Sequence, residues 1–90
     1  MIDSVQQAEV AILRYLIANR NARDTIEGIE KWWLPQIRQY GIGDVVEALD
    51  SLQRRNLIRV WESTSAKPVY GCGSRDSRLL EEHLRKLTEP

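Results

Sequence analysis

The first apolar pattern of the chain has the spacing of a helix. Ser4 and Gln7 stand three residues apart, as in an N-terminal capping box, and predict where this helix begins. The polar run that starts at Asn19 predicts its end. Between these points hydrophobic residues recur every three or four positions and form one face. That face comprises Val5, Ala8, Ile12 and Leu16.

A second, shorter helix is predicted to start at Asp24 or Thr25 and to end at Leu34. Asp24 and Glu27 have the spacing of another cap, and Leu34 precedes a proline, which disfavours helical backbone. Trp32 is placed about 100° around this helix from the apolar stripe. It is therefore either an exposed residue at the rim or a large side chain that spans the gap to the fourth helix. The stripe itself is Ile26, Ile29 and Trp33.

A third helix is predicted from Asp44, which with Glu47 has the spacing of a cap, to Asn56. Asparagine tolerates left-handed backbone and suits the position just past a helix end. The segment before this helix, residues 37–40, is predicted as a short strand or a 3₁₀ turn. The apolar positions of the third helix are Val45, Val46, Leu49 and Leu52.

A hairpin is predicted after the third helix. Residues 57–61 are rich in β-formers and alternate, with Ile58 and Val60 facing one way. Residues 62–67 form a polar turn, and residues 68–70 return as a second strand. Because proline cannot donate to a strand ladder, Pro68 predicts that the returning strand is an edge strand. Residues 71–73, Gly-Cys-Gly, are predicted to be a flexible bend.

A fourth helix is predicted after the bend, capped by Ser74 or Asp76 and ending near Leu87. Leu80, Leu84 and Leu87 form its apolar stripe, with Leu79 and His83 alongside. A helix with one apolar stripe must bury it. Two burial sites remain open: the protein's own core, or the same stripe on a second copy in a homodimer.

The third helix and the hairpin together resemble the winged-helix superfamily. The pattern V-x-x-A-L-x-x-L-x-x-x-x-L-I covers residues 45–58 and is similar to segments of MarR, PadR and ArsR-like regulators. The resemblance implies an α+β, mostly α fold: three helices, a two-stranded β-hairpin wing and a C-terminal fourth helix. We expect a winged-helix domain over residues 1–73, with residues 74–90 packed on it or on a second subunit.

Composition narrows the chemistry. The 90 residues suit one domain, and 13 basic residues balance 13 acidic ones. A single cysteine permits no internal disulfide, which fits the cytoplasm, and no apolar run approaches the ~18 residues of a membrane span. Cys72 and His83 are the single cysteine and the single histidine, too few ligands for a structural zinc site, and the sequence has no phosphate-binding glycine loop. We therefore expect no enzyme activity, no catalytic or metal-binding residues and no cofactor.

Charge bears on whether such a fold binds DNA or protein. The winged-helix resemblance implies that the third helix enters the major groove and the wing contacts the backbone, where lysine and arginine neutralise phosphates. Residues 44–56 carry three acids against two bases, and residues 24–34 carry three acids against one. This acidic character slightly favours a protein–protein adaptor or regulatory subunit. The alternative is a DNA-binding transcriptional regulator.

Each hypothesis has its own candidate residues. An exposed tryptophan beside an arginine is typical of a protein interface, although the fourth helix would cover Trp61 if it folded back. The candidates for partner binding, including a homodimer through the fourth helix, are Trp32, Arg59, Trp61, Leu80 and Leu84. Those for DNA binding are Ser51, Arg54, Arg55, Arg59 and Lys67.

Overall fold

A computed structural model of the protein describes residues 3–34, 41–62, 64, 66–73 and 77–89. Its fold class is the predicted one, α+β and mostly helical, with four helices and a small antiparallel sheet of three strands in the described part of the chain. This arrangement is compatible with a winged helix. The elements in chain order are α1 (Ser4–Ala18), β1 (Arg23–Asp24), α2 (Ile26–Gly28) continued by a π-helical segment (Ile29–Trp33), α3 (Ile42–Arg54), β2 (Ile58–Trp61), β3 (Val69–Cys72) and α4 (Ser77–Thr88).

The cap of α1 lies one residue earlier than predicted. Asp3 accepts a hydrogen bond from the backbone N–H of Gln6 at 2.8 Å, and the Gln6 side chain accepts one from the Asp3 N–H at 3.3 Å. The predicted pair of Ser4 and Gln7 was therefore wrong. Both pairs have the same spacing and both Asp and Ser are good caps, so the local sequence does not separate them.

Thr25 caps α2. Its hydroxyl accepts a hydrogen bond from the Gly28 N–H at 3.2 Å, which confirms the later of the two predicted starts. The predicted cap of Asp24 with Glu27 was wrong, because Asp24 belongs to β1 and its carboxylate accepts from the Thr25 N–H. At the other end, Leu34 has extended backbone, as predicted for a residue before proline.

Helix α3 begins at Ile42, two residues before the predicted cap at Asp44. Gly41 holds the N-cap position, and its carbonyl accepts from the N–H groups of Asp44 and Val45 at 3.0 and 3.2 Å. No side chain caps this end, so the predicted pairing of Asp44 with Glu47 as a capping box was wrong. The predicted C-terminal end is confirmed, since Asn56 has a left-handed φ of 61°.

The predicted hairpin is confirmed in its pairing, with Val60 opposite Tyr70 and Trp61 opposite Val69. The sheet differs from the prediction in its order, β1-β3-β2. Strand β3 is therefore central, not an edge strand, and Pro68 lies just before it, where no ladder donor is needed. Strand β1 was not predicted, because two residues carry no periodic signal.

The predicted flexible bend is also corrected. Gly71 and Cys72 belong to β3, and the Gly73 N–H donates to the carbonyl of Leu57 at 3.1 Å. A Cβ on Gly71 would lie 2.9 Å from the carbonyl oxygen of Ala22, and one on Gly73 would lie 2.7 Å from the carbonyl carbon of Ile58. These glycines therefore allow neighbouring backbone segments of the same chain to approach closely, and they do not form a flexible bend.

The core joins α1, the π-helical segment, α3, β2 and α4. Trp33 is buried and stacks on Tyr15, with ring centroids 4.8 Å apart. Helix α4 packs against α1, and Leu80 is completely buried while Leu84 and Leu87 are half-buried against the core. Of the two burial sites that the sequence left open, the chain itself thus provides one. The predicted element at residues 37–40 and the predicted caps of the fourth helix, Ser74 or Asp76, lie outside the described residues.

Candidate functional site

Helix α3 has a buried side and an exposed side, and apolar residues lie on both. Exposed Ile42 and Val46, with 52% and 44% of their surface open, are one helical turn apart and lie beside each other. We call the exposed positions of this helix that surround them the α3 outer surface. It comprises Ile42, Gly43, Val46, Glu47, Asp50, Gln53 and Arg54, whereas the buried side comprises Val45, Ala48, Leu49 and Leu52.

The α3 outer surface is acidic. Within α3 there are three carboxylates, on Asp44, Glu47 and Asp50, and one base, Arg54, which gives a net charge of −2. Arg54 is engaged already, because its Nη2 lies 2.9 Å from Oδ2 of Asp50. Because Arg54 offsets Asp50, the net negative charge of α3 lies on Asp44 and Glu47, in the first two turns of the helix.

Two of the basic residues among the DNA-binding candidates already form ion pairs within the protein. Besides Arg54, Lys67 is paired, with its Nζ 3.1 Å from Oε1 of Glu27. A hydrogen bond from the backbone at Glu27 and a second from Lys67 lower the pKa of the Glu27 carboxyl, so this ion pair stays charged at neutral pH. Arg55 and Arg59 are exposed, and Ser51 is half-buried.

The two candidate tryptophans have different environments. Trp32 has 66% of its surface exposed, and the Lys31 ammonium lies 5.0 Å from its ring centroid. Trp61 is half-buried beneath the guanidinium of Arg23, 4.2 Å from the ring centroid. The residue over this ring comes from β1. Arg59, on the same strand, is exposed.

Two candidate partner-binding residues on α4 lie in the protein's own core. Leu80 has no exposed surface, and Leu84 is half-buried against the core cluster. Their neighbour Leu79, by contrast, is 49% exposed. Contacts within one chain therefore bury this stripe fully at Leu80 and half at Leu84.

Sequence reasoning missed Ile42 and Val46 as surface residues. Placing the cap at Asp44 put Ile42 outside the helix, and Val46 was grouped with the buried stripe. A signal was present, however. Val46 lies about 100° around the helix from Val45, and Ile42 stands four residues before it, so the two define a second apolar side.

His83 on α4 is half-buried and lies close to charged groups. Its Nε2 atom is buried and has no hydrogen-bond partner among the described residues. Burial lowers the pKa of His83, and so do the positive charges of Arg55 and Lys86, whereas Glu9 acts in the opposite direction. The neutral imidazole is therefore the form that the folded protein favours.

This depressed pKa predicts that the protein loses stability in mild acid. Below its ordinary pKa of about 6.5, His83 takes up a proton more readily in the unfolded chain than in the folded one, so stability falls as the pH falls. We expect the urea midpoint of the wild type to drop between about pH 7.5 and pH 5.5, and that of His83→Gln to drop less. Parallel pH curves for the two proteins would show that His83 does not contribute.

Two further properties concern the described residues only. Each helix in this part of the chain is too short or too polar to span a bilayer. In the same part of the chain, no group of three or more His, Cys, Asp or Glu side chains is arranged to hold a metal ion. Cys72 is half-buried on β3, on a different element from His83.

Comparison with known proteins found no match among protein-family models, curated proteins or solved structures. The function is therefore inferred from the residues of the chain itself.

Proposed function

We propose that the protein is a non-catalytic winged-helix module that binds another protein through the α3 outer surface. The observation that carries this proposal is that exposed Ile42 and Val46 lie on the same surface of one helix as the carboxylates of Glu47 and Asp50. Apolar side chains that the fold leaves in water gain from burial against a partner. Removing the exposed area of two aliphatic side chains from water is worth about 1–2 kcal/mol, before the cost of association.

Charge argues against a duplex as the partner of this helix. DNA carries one negative charge per ~1.7 Å of its axis, and binding proteins gain affinity by neutralising phosphates. The α3 outer surface would place Glu47 and Asp50 against those phosphates. Arg54 and Lys67 would have to leave their carboxylate partners to contribute.

Trp32 is a second candidate anchor for a protein partner. It is the most exposed of the large hydrophobic residues in the described part of the chain, and tryptophan is enriched among residues that dominate interface energies. Leu80 and Leu84 are not part of the proposed surface, because Leu80 is completely buried and Leu84 half-buried in the protein's own core. The proposal is accordingly for a different protein as partner, not for a homodimer through α4.

The proposal predicts that the wild type does not bind random duplex DNA. In fluorescence anisotropy with a labelled duplex of about 24 base pairs, we expect no saturation up to about 50 µM protein in about 50 mM NaCl. The double variant Glu47→Lys, Asp50→Lys exchanges two negative charges for two positive ones and should gain measurable affinity, which shows that the assay detects binding through α3. Micromolar binding by the wild type, falling steeply between about 50 and 200 mM salt, would instead establish a DNA-binding protein.

A further inference from the structure

Gly43 is a helical glycine that the fold of this chain does not require. It is exposed, a Cβ built on it meets nothing within 4 Å, and its φ is not positive. Glycine inside a helix is less stable than alanine, because it loses more backbone freedom on folding. What Gly43 does provide is bare backbone between Ile42 and Glu47, where another backbone can approach closely.

The length of the α3 outer surface suits a helical partner. From Ile42 to Gln53 the helix rises by about 16 Å, or three turns. Ile42 and Val46 lie along one side of this path, and Gly43 and Glu47 lie along the adjacent side, each pair four residues apart. A partner helix that packs along such a surface contacts apolar residues at this spacing, and a small residue lets the axes of the two helices come closer.

The charge of the α3 outer surface indicates which charge its partner carries. Acids in the first turn of a helix stabilise it through the helix dipole, and this accounts for Asp44. The dipole effect falls off within that turn, so it does not account for Glu47 and Asp50. Only Asp50 has an arginine beside it on the helix, at 2.9 Å. A partner that covers Ile42 and Val46 would therefore gain most from lysine or arginine at its rim.

We propose that the α3 outer surface binds a basic amphipathic helix of another protein, with Ile42 and Val46 as apolar contacts, Gly43 as the point of closest approach and Glu47 as the principal charge contact. The inference rests on the proposed function, and names the chemistry of the partner.

The test uses two synthetic helices of about 18 residues and isothermal titration calorimetry. One peptide carries leucine on one face and lysine on the rest, and the other has glutamate in place of lysine. We expect the wild-type protein to bind the lysine peptide with a dissociation constant on the order of 10–100 µM and to leave the glutamate peptide unbound. Val46→Ser and Glu47→Lys should each weaken binding by about tenfold or more.

Two matched variants separate a specific site from general attraction between charges. Glu81→Lys makes the same charge change on the exposed side of α4 and should leave the affinity within about twofold of the wild type. Gly43→Gln fills open space, so it should keep or raise the melting temperature while it weakens peptide binding by about fivefold or more. A merely structural role for Gly43 would not lower affinity in a protein that remains fully folded.

Several results would overturn the inference. The lysine peptide could fail to bind, or could lose affinity equally with Glu81→Lys and Glu47→Lys. Binding of the glutamate peptide at the same surface would overturn the basic partner but leave a protein-binding α3. A wild-type dimer in sedimentation that Gly43→Gln dissociates would overturn it too, since the occupant would then be a second copy. DNA binding by the wild type would overturn the proposed function independently of either peptide.

Discussion

Leu80→Glu is expected to abolish the folded state at room temperature. Leu80 has no exposed surface and lies in the core where α4 packs on α1. A glutamate there would bury a carboxylate with no partner, at a cost of about 3–5 kcal/mol or more, in addition to the lost apolar burial. Domains of this size are stable by about 5–15 kcal/mol, so most or all of that stability is removed. Circular dichroism with a thermal melt measures the effect.

Leu79→Glu is the matched control for this substitution. Leu79 is the neighbouring leucine on α4 and is 49% exposed, so a carboxylate there stays in water and should change stability by less than about 1 kcal/mol. A Leu80→Glu protein as stable as the control would contradict the docking of α4 on α1. It would also favour burial of the α4 stripe against a second copy of the protein.

Leu49→Ala should destabilise the protein by about 2–5 kcal/mol. Leu49 is 2% exposed on the buried side of α3, and its truncation removes apolar contacts and leaves a cavity. Val46→Ala, on the same helix but 44% exposed, should cost less than about 1 kcal/mol. Urea unfolding of the two variants beside the wild type gives both values. A loss below about 1 kcal/mol for Leu49→Ala would show that the two sides of α3 are assigned the wrong way round.

The elements with long periodic patterns could be predicted, and their starting residues could not. The burial of Ile12 and Leu49 was correctly predicted from the helical spacing of their stripes, whereas Val46 was wrongly included with Leu49 and the burial site of Leu80 was left open between the core and a second copy. Helix starts depend on a single cap, and Asp3, Ser4 and Asp44 all satisfy the same local rule. Which of them caps a helix is decided by where the backbone turns.

The candidate site was less predictable, since it depends on tertiary contacts. Lys67 and Glu27 form an ion pair across 40 residues, and Arg23 meets Trp61 through a strand too short to leave a pattern. The acidity of α3 was legible in the sequence. The ion pair of Lys67 could not be predicted from the sequence, although it is one of the two ion pairs that reduce the number of unpaired basic side chains among the DNA-binding candidates.

An amide-resolved nuclear magnetic resonance titration distinguishes protein binding from DNA binding by α3, because it reports which surface each ligand contacts. A ¹⁵N-labelled wild-type sample is titrated with random duplex DNA and, separately, with the lysine peptide. We expect the peptide to shift the amide signals of Ile42, Gly43, Val46 and Glu47, and the duplex to shift none of them. Duplex-induced shifts in α3 together with Arg59 and Lys67, and none in α3 with the peptide, would instead show that α3 binds DNA and not a protein helix.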